Sequence, residues 1–339
     1  MTRDRVLAIL LIGLAVAGII LNFVGPNQKD KNNTEINFGG DKILSLQLHG
    51  VMMDGESQSI LGPEVSSSVK LRDQLIKAAK DKSVKGVILR INTPGGAVGI
   101  SQEIYAAIKK LRSAKKPIIA SMGDVAASGG YYIASGCDYI FANPGTLTGS
   151  IGVISHFMNL EATYGKIGLK DMTIKAGKYK DIGSSSRAMT DEEKKILQNL
   201  VNDTYEQFLT DVYEGRRSNN SEYGGLRQNL TRDDIGEVAQ GMIYTGKQAK
   251  EIGLVDELGN YNDALEALQK LVKKRSGNKI KEDLQVVESL GSNGSLKELL
   301  GVSSRNLGSM NTPSQAILEA FKIRNPVLLL APEFMANGF

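Results

Sequence analysis

Apolar runs and amphipathic segments alternate through the middle of the chain. Short apolar or β-branched runs, bounded by glycine, proline or polar residues, predict strands at residues 42–48, 86–92, 118–122, 139–142, 151–154 and 171–175. Apolar positions at spacings of three and four predict helices within 57–81 and at 100–112, 131–135, 157–167, 190–216, 244–252 and 261–272. This alternation predicts an α/β fold with a mostly parallel sheet.

The N-terminal region has a different pattern. Residues 6–24 carry no charge, and at 1.5 Å per residue they can cross a bilayer core of about 30 Å. A cleaved signal peptide is one alternative, because residues 15–17 (AVA) resemble a cleavage site, and a buried core helix is another. The apolar run continues past that site and has no polar face, so we expect a single-pass membrane anchor. Arg3 and Arg5 favour an N-terminus inside the cell, although Lys29 and Lys31 weaken that bias.

Composition changes divide the chain into four regions. Residues 1–25 form the N-terminus and anchor, and the polar, Gly/Asn-rich residues 26–41 form a linker. The globular domain covers residues 42–275, and residues 276–339 form a C-terminal extension. That extension ends in an apolar segment at 326–339, which is unusual for a free tail.

Charge and motifs exclude several classes of protein. The net charge is +4, from 41 basic and 37 acidic residues, which is too small an excess to indicate nucleic-acid binding. A single cysteine rules out an intramolecular disulfide framework and a cysteine-based zinc site. No phosphate-binding glycine motif follows a strand, and no paired metal ligands are visible. We therefore expect neither a cofactor nor a metal.

One stretch has the composition of a turn that presents a nucleophile. The strand at 118–122 leads into AASGG at residues 126–130, and a short helix follows. Small neighbours let a substrate backbone approach, and the first N–H groups of a helix have no intrahelical partner and can face an oxyanion. Ser128 is therefore a candidate nucleophile. The alternative is that Ser128 only caps the helix.

A base for such a nucleophile is restricted by the scarcity of histidine. The chain has two, His49 and His156, each at the end of a predicted strand and each more typical of an ordinary structural residue. Lysine is the usual substitute in a Ser-Lys dyad. A lysine can accept a proton only when neutral, and burial lowers its pKa toward that state. Spacing alone leaves three candidates in one predicted loop, which are Lys175, Lys178 and Lys180.

Four patches together carry a resemblance to a known family. They are NTPGG at 92–96, AASGGYY at 126–132, LTGSIGV at 147–153 and GKYKD at 177–181. In this order and at this spacing, residues 44–258 resemble the signal peptide peptidase A family, which belongs to the Clp protease/crotonase superfamily of serine peptidases. The resemblance implies a fold of repeated ββα units. The length matches the short, single-copy form of that family.

The resemblance implies a role for individual residues. Ser128 would be the nucleophile, and Lys180 the general base and later the general acid. Gly95 and Gly129 would supply the oxyanion-hole N–H groups, and Ser150 would orient the lysine. The chain departs from the family pattern after Asp181, where it lacks a proline that is often found there. That departure concerns the shape of the loop.

The resemblance also implies a setting for the enzyme. We expect a homo-octameric ring or dome in which Ser128 and Lys180 meet across subunit boundaries, with the catalytic domain on the extracytoplasmic side of the cell membrane. Substrates would be apolar remnants of signal peptides, and the tail at 326–339 resembles such a substrate. Two alternatives are a crotonase-type acyl-CoA hydratase or isomerase and a catalytically silent membrane scaffold.

Overall fold

The computed structural model describes residues 40–59, 62–217 and 231–288. The expected anchor and the apolar tail lie outside these residues. Among the described helices, none combines the length and the apolar character needed to cross a membrane.

Strands and helices alternate along the described chain. In order they are β1 (Lys42–His49), β2 (Glu56–Ser59), β3 (Gly62–Val65), α1 (Ser67–Lys80), β4 (Val84–Thr93), α2 (Val98–Ser113), β5 (Ile118–Ala127), α3 (Gly129–Ser135), β6 (Tyr139–Ala142), β7 (Leu147–Gly149), α4 (Glu161–Lys166), α5 (Asp191–Arg217), α6 (Arg232–Val238), β8 (Ile243–Thr245), α7 (Gly246–Glu251), β9 (Glu257–Leu258), α8 (Tyr261–Arg275) and β10 (Gln285–Glu288).

The main sheet forks at the end of its central strand. Strands β10, β1, β4, β5, β6 and β9 lie side by side and pair in parallel. The first half of β5 (residues 119–121) pairs with β6, whereas its second half (125–127) pairs with β7. Strand β8 then runs antiparallel to β7. The carboxyl end of β5 therefore lies where the sheet opens, the usual place for a site in such folds.

Apolar cores cover both faces of the sheet. On β4, Leu89 belongs to the core shared with helices α1, α2 and α3, while Ile88 faces the smaller core that contains α8. On that second face, a Cβ at Gly86 would lie 2.9 Å from the Val272 side chain, so α8 packs directly against the strand. Burial on both faces explains why β4 appears in the sequence as an almost continuous apolar run.

Most predicted elements of the sheet are confirmed, and one region is not. The strands predicted at 42–48, 86–92, 118–122 and 139–142 are present, and the long helix begins one residue later than predicted, at Asp191. Residues 151–154 and 171–175 are not strands, and the helix predicted at 157–167 is reduced to α4. The side chains of Ile154 and Ile174 are 92% and 99% exposed. Among the described residues, no strand pairs with either segment.

The prediction at 244–252 also needs correction. Residues 243–245 form β8, and the helix begins only after Thr245. The Thr245 side chain accepts a hydrogen bond from the N–H of Gln248, and the Gln248 side-chain oxygen accepts one from the N–H of Thr245. This capping box fixes the start of the helix. Strand β10, at the edge of the sheet, was not predicted.

Candidate active site

Ser128 lies at a strained turn between β5 and α3. Its φ and ψ angles are 52° and −119°, a combination that a residue with a side chain rarely adopts. Its hydroxyl makes no capping hydrogen bond to the helix, so the interpretation of Ser128 as a simple N-cap is wrong. Strained residues of this kind cluster at functional sites, and a serine on a sharp strand-to-helix turn presents its Oγ outward.

Backbone hydrogen bonds hold the turn from both sides. The N–H of Ser128 donates to the carbonyl of Gly149 at 2.9 Å, and the N–H of Tyr132 donates to the carbonyl of Ser128 at 2.9 Å. The first of these bonds continues the pairing of β5 with β7. Ser150 follows Gly149 directly, with φ of 50°, and its N–H donates to the carbonyl of Met242 at 2.7 Å. The structure therefore brings the Ser150 backbone next to that of Ser128.

The glycine pair at the end of β4 packs against this turn. A Cβ on Gly95 would lie 2.6 Å from the nitrogen of Gly129 and 2.8 Å from the Cβ of Ser128. The N–H of Gly95 donates to Thr93 Oγ1 at 3.0 Å and is therefore occupied. Gly96 is exposed, and it lines the cavity in front of Ser128. Gly95 thus lies beside Ser128 as expected, while a donor role for its N–H stays a prediction.

A cavity of about 120 Å³ opens in front of Ser128. Its walls combine apolar side chains with hydroxyl groups, and they come from the β4–α2 turn, the start of α2, α3, the segment after β7 and α5. The lining residues are Gly96, Val98, Ser101, Ser128, Gly129, Tyr132, Gly152, Val153, Ile154, Thr204 and Phe208. Neither histidine is among them.

The wall behind the cavity is rigid. The Tyr132 hydroxyl donates to the carboxylate of the largely buried Asp211, which also accepts a 2.9 Å hydrogen bond from the Gln207 side chain. The rings of Tyr132 and Phe208 lie 4.7 Å apart. Burial, reinforced by the nearby carboxylate, raises the pKa of Tyr132. This tyrosine therefore stays neutral at physiological pH and acts as a fixed part of the wall.

Sequence reasoning missed the contribution of α5 to this cavity. In the sequence, Phe208 belongs to the apolar face of the helix predicted at 190–216, which indicates burial and not a role at a site. A single threonine within a helical segment does not indicate a site either. In the structure, the Thr204 hydroxyl donates to the carbonyl of Leu200 one turn earlier, as many helical threonines do.

The three candidate bases lie in or next to the loop at residues 176–187, the base loop, which contacts the N-terminus of α5. Lys175 donates to the carboxylate of Asp181, and Lys178 and the Tyr179 hydroxyl both donate to Glu192. Its bond to Glu192 raises the pKa of Lys178, which favours the charged form. Lys180 is exposed, and among the described residues its ammonium group has no carboxylate partner. The three lysines that the sequence could not separate therefore differ in their surroundings.

Helix α5 separates this loop from the cavity. The loop is bonded to residues in the first turn of α5, whereas the cavity is lined by Thr204 and Phe208 of the same helix. At 1.5 Å per residue, the helix from Glu193 to Thr204 is about 17 Å long. Lys180 is not among the described residues that line the cavity. Within one subunit, none of the described contacts links Lys180 to Ser128 or to the cavity.

Comparison with known proteins gives the family. Residues 110–275 match the model of peptidase family S49, and residues 51–145 match the Clp protease model. A protein of Enterococcus faecium that bears the name signal peptide peptidase SppA is 37% identical over 255 residues, covering 75% of this chain and 71% of that protein.

Two further relatives are longer proteins. Protease 4 of Salmonella typhi is 35% identical over 235 residues, which cover 69% of this chain and 35% of that protein. The chloroplastic serine protease SPPA of Arabidopsis thaliana is 32% identical over 298 residues, covering 83% of this chain and 42% of that protein. The Enterococcus protein is matched over most of its length as well as most of this chain. The chain therefore belongs to peptidase family S49 and is a serine peptidase.

Proposed function

We propose that the protein is a membrane-anchored endopeptidase that uses a Ser128–Lys180 dyad to degrade remnant signal peptides and other apolar peptides. The observation that carries this proposal is the strained turn at Ser128, whose neighbours are small and which opens onto a cavity with apolar side chains in its walls. A serine held in this way is ready to attack a carbonyl carbon before any substrate arrives.

The contacts of the three lysines support Lys180 as the base. A general base must lose its proton readily, and a carboxylate partner opposes that loss. Lys175 and Lys178 each have such a partner, and within the described chain Lys180 has none.

The chemistry then follows two steps. Ser128 Oγ attacks the carbonyl carbon of the scissile bond while its proton passes to Lys180 Nζ, and Lys180 returns that proton to the departing amine. Water then attacks the acyl-enzyme with Lys180 again as base, and Ser128 regains its proton. The oxyanion would be stabilised by the N–H of Gly129 and by a donor from the glycine pair. Gly95 remains our first prediction for that donor, and the position of Gly96 in the cavity wall makes its N–H the alternative.

The length of α5 supports a dyad formed between subunits. Since the base loop and the cavity are attached to α5 about 17 Å apart, the Lys180 that serves one Ser128 would come from a neighbouring subunit. The exposed apolar side chains on residues 154–174 offer a surface for that neighbour: they are Ile154, Phe157, Met158, Ile167, Leu169, Met172 and Ile174. We expect a closed homo-oligomeric ring, with eight subunits as the size implied by the resemblance.

The substrate class follows from the cavity and the expected anchor. A cavity of about 120 Å³ with Val98, Ile154 and Phe208 in its walls accepts a small or medium apolar side chain. An enzyme anchored through residues 6–24, with its catalytic domain on the extracytoplasmic side, meets such side chains in peptides left in the membrane. The SppA relative from Enterococcus is named for signal peptides, which is consistent with this class.

The test is hydrolysis of an apolar, signal-peptide-like fluorogenic peptide by the full-length chain in detergent. We expect Ser128→Ala and Lys180→Ala each to assemble normally, as judged by light scattering, and to lose activity by several orders of magnitude. Activity that persists in Lys180→Ala would refute the dyad. Assembled wild type that cleaves no peptide would favour the acyl-CoA or scaffold alternatives. A fluorophosphonate probe distinguishes the serine peptidase from the acyl-CoA enzyme, because it reacts with an activated Ser128.

A mixing experiment tests whether the dyad forms between subunits. Ser128→Ala and Lys180→Ala subunits are dissociated, mixed in equal amounts and reassembled. If each site combines two subunits, about a quarter of the sites regain both residues, and activity returns to about that fraction. A mixture as inactive as its components would show that each dyad lies within one chain.

A further inference from the structure

We infer that Arg187 is a positioning residue for the catalytic base: it ties Asp181, the residue next to Lys180, to Glu193 at the start of α5. This inference rests on the proposed function, in which Lys180 is the base. Arg187 has two tasks in this view. It fixes the loop that carries Lys180, and it balances the negative charge that lies immediately beside that lysine.

The first half of the link joins Arg187 to Asp181. Arg187 Nε donates to Asp181 Oδ2 at 2.9 Å, and its NH2 group lies 2.9 Å from Asp181 Oδ1. The same NH2 group also donates to the backbone carbonyl of Asp181 at 3.3 Å. One guanidinium therefore contacts both the side chain and the backbone of the residue that follows Lys180.

The second half joins Arg187 to Glu193. Its two terminal nitrogens donate to the two carboxylate oxygens of Glu193, at 2.6 and 2.9 Å. Glu193 is itself held, because Oε2 also accepts hydrogen bonds from the backbone N–H and the hydroxyl of Thr190. Only 4% of its side chain is exposed. The planar guanidinium forms a bidentate pair with each of two carboxylates, a geometry that the single ammonium nitrogen of a lysine cannot reproduce.

The arrangement also controls the charge next to Lys180. Asp181 is bonded to Arg187 and Lys175, and these bonds hold its pKa well below the usual range. The Arg187 bond likewise lowers the pKa of Glu193 to about 2. Two cations and two anions thus balance within the cluster. Without Arg187, the Asp181 carboxylate would be only partly compensated, and an uncompensated negative charge favours the protonated, inactive form of a lysine.

Other charged groups near the base loop come from three elements. The loop and the segment before it contribute four besides Asp181 and Arg187, helix α4 contributes one, and the first turn of α5 contributes three. They are Asp171, Lys175, Lys178 and Tyr179; Glu161; and Asp191, Glu192 and Glu193. Most already have a partner: Asp171 accepts from Ser186, Glu161 accepts from the N–H of Ala188, and Glu192 accepts from Lys178 and Tyr179. Asp181 is the carboxylate adjacent to Lys180 in the chain, and Arg187 is its bidentate partner.

The loop keeps other contacts if Arg187 is removed. The N–H of Leu160 donates to the carbonyl of Ser185 at 2.7 Å, and Gly183 lies against the ring of Phe157. Loss of Arg187 should therefore loosen the position of Lys180 without unfolding the subunit.

The test compares pH profiles of kcat/KM for full-length variants in detergent. For Arg187→Ala we expect a loss of roughly 10–100-fold at neutral pH, since small displacements of a catalytic group have costs of that size. We also expect the acidic limb of the profile to move to higher pH by about one unit, because Asp181 then acts on Lys180. Adding Asp181→Asn should return the profile to its original position while the rate stays low.

Two controls separate this effect from general damage. Arg72→Ala removes an arginine that also contacts two carboxylates, Asp73 and Glu103, on helices α1 and α2, and it should leave rate and profile unchanged. Arg187→Lys keeps a positive charge but cannot form bidentate pairs with both carboxylates. It should therefore lower kcat/KM without moving the pH profile. If Arg187→Ala does not assemble, the pH profiles of Arg187→Gln and Arg187→Lys are compared instead. Arg187→Gln, which removes the charge, should move the acidic limb to higher pH, and Arg187→Lys should not. An unmoved profile in Arg187→Gln would overturn the inference.

Three outcomes have distinct meanings. A wild-type rate and profile in assembled Arg187→Ala overturn the inference. A lower rate with an unmoved profile in Arg187→Ala, which removes the charge, overturns it too, since that pattern is a purely structural effect. Failure of the proposed function is a different result, namely activity that survives Lys180→Ala in the same assay.

Discussion

The two ends of the proposed dyad are held by different physical means. At the Ser128 end, backbone hydrogen bonds and close-packed glycines fix the turn, and the neighbours of Ser128 are buried. At the Lys180 end, side-chain ion pairs attach a surface loop to the start of a helix. The nucleophile is thus positioned by the core of one subunit, whereas the base depends on charges that solvent and pH can reach. Substitutions that change side-chain volume should therefore displace mainly the Ser128 turn. Substitutions that change charge should displace mainly the Lys180 loop.

The largest expected effect is at the glycine beside Ser128. Gly95→Ala places a Cβ 2.6 Å from the nitrogen of Gly129 and 2.8 Å from the Cβ of Ser128, at a φ of 101°. We expect the turn to shift and kcat/KM to fall by about 100-fold or more. Gly99→Ala is the matched control, because nothing lies within 4 Å of its added Cβ. Equal activity in the two variants would show that the turn tolerates movement.

A smaller effect is expected behind the cavity. Tyr132→Phe removes the hydroxyl donor to Asp211 and leaves Gln207 as a donor to the same oxygen. We expect a loss of about 1–3 kcal/mol in stability, because a buried carboxylate then has fewer hydrogen bonds. Thermal unfolding measures this loss. Tyr213→Phe, on the same helix as Asp211, is the control, and a destabilisation as large as that of Tyr132→Phe would contradict the assigned role of the hydroxyl.

The lysines around the base should matter less than the base itself. Lys178 is paired with Glu192 on the surface, with 67% of its side chain exposed. Since exposed ion pairs contribute little, Lys178→Ala should change kcat/KM by only a few-fold. A steady-state assay beside Lys180→Ala makes the comparison. If Lys178→Ala proves to be the inactive variant, the base has been assigned to the wrong lysine.

Acid should loosen the base loop before it affects the turn. Glu193 has a folded pKa of about 2 against an ordinary value of 4.5, so its stabilising contribution is complete above pH 4.5 and is lost as the pH falls toward 2. The pKa of Asp181 is lowered in the same sense. Hydrogen exchange, corrected for intrinsic rates, should therefore rise at residues 176–187 across this range and stay low at residues 126–134. Parallel behaviour of both segments would show that ion pairs do not hold the loop.

The Ser128 end was largely predictable from sequence. A strand, a turn of small residues and a short helix are local patterns, and the structure has them at the predicted positions. The occupied N–H of Gly95 could not be predicted, because it depends on the rotamer of Thr93. The contribution of Thr204 was also invisible, since only the packing of α5 brings it to the cavity.

The Lys180 end was not predictable from the residues alone. Spacing left three lysines equivalent, and only the resemblance singled out Lys180. Thr190 and Glu193 have the spacing of a capping box in the sequence, and the structure contains that box. The sequence did not show that Glu193 also binds Arg187, because that contact depends on how the loop folds back. The strands predicted at 151–154 and 171–175 failed for a related reason: Ile151 packs in the core, but the side chains of Ile154, Met172 and Ile174 are exposed among the described residues.

The length of α5 has a consequence for the number of sites in an assembly. Suppose that the Ser128 of each subunit pairs with the Lys180 of one neighbour, and its Lys180 with the Ser128 of the other neighbour. The contact between subunits is then head-to-tail, and the two faces of a subunit differ. An open row of subunits then has one site fewer than it has members, because the serine at one end and the lysine at the other are unmatched. Closure of the ring creates the last site. Newly made subunits would therefore be inert, and proteolysis would begin only as they join.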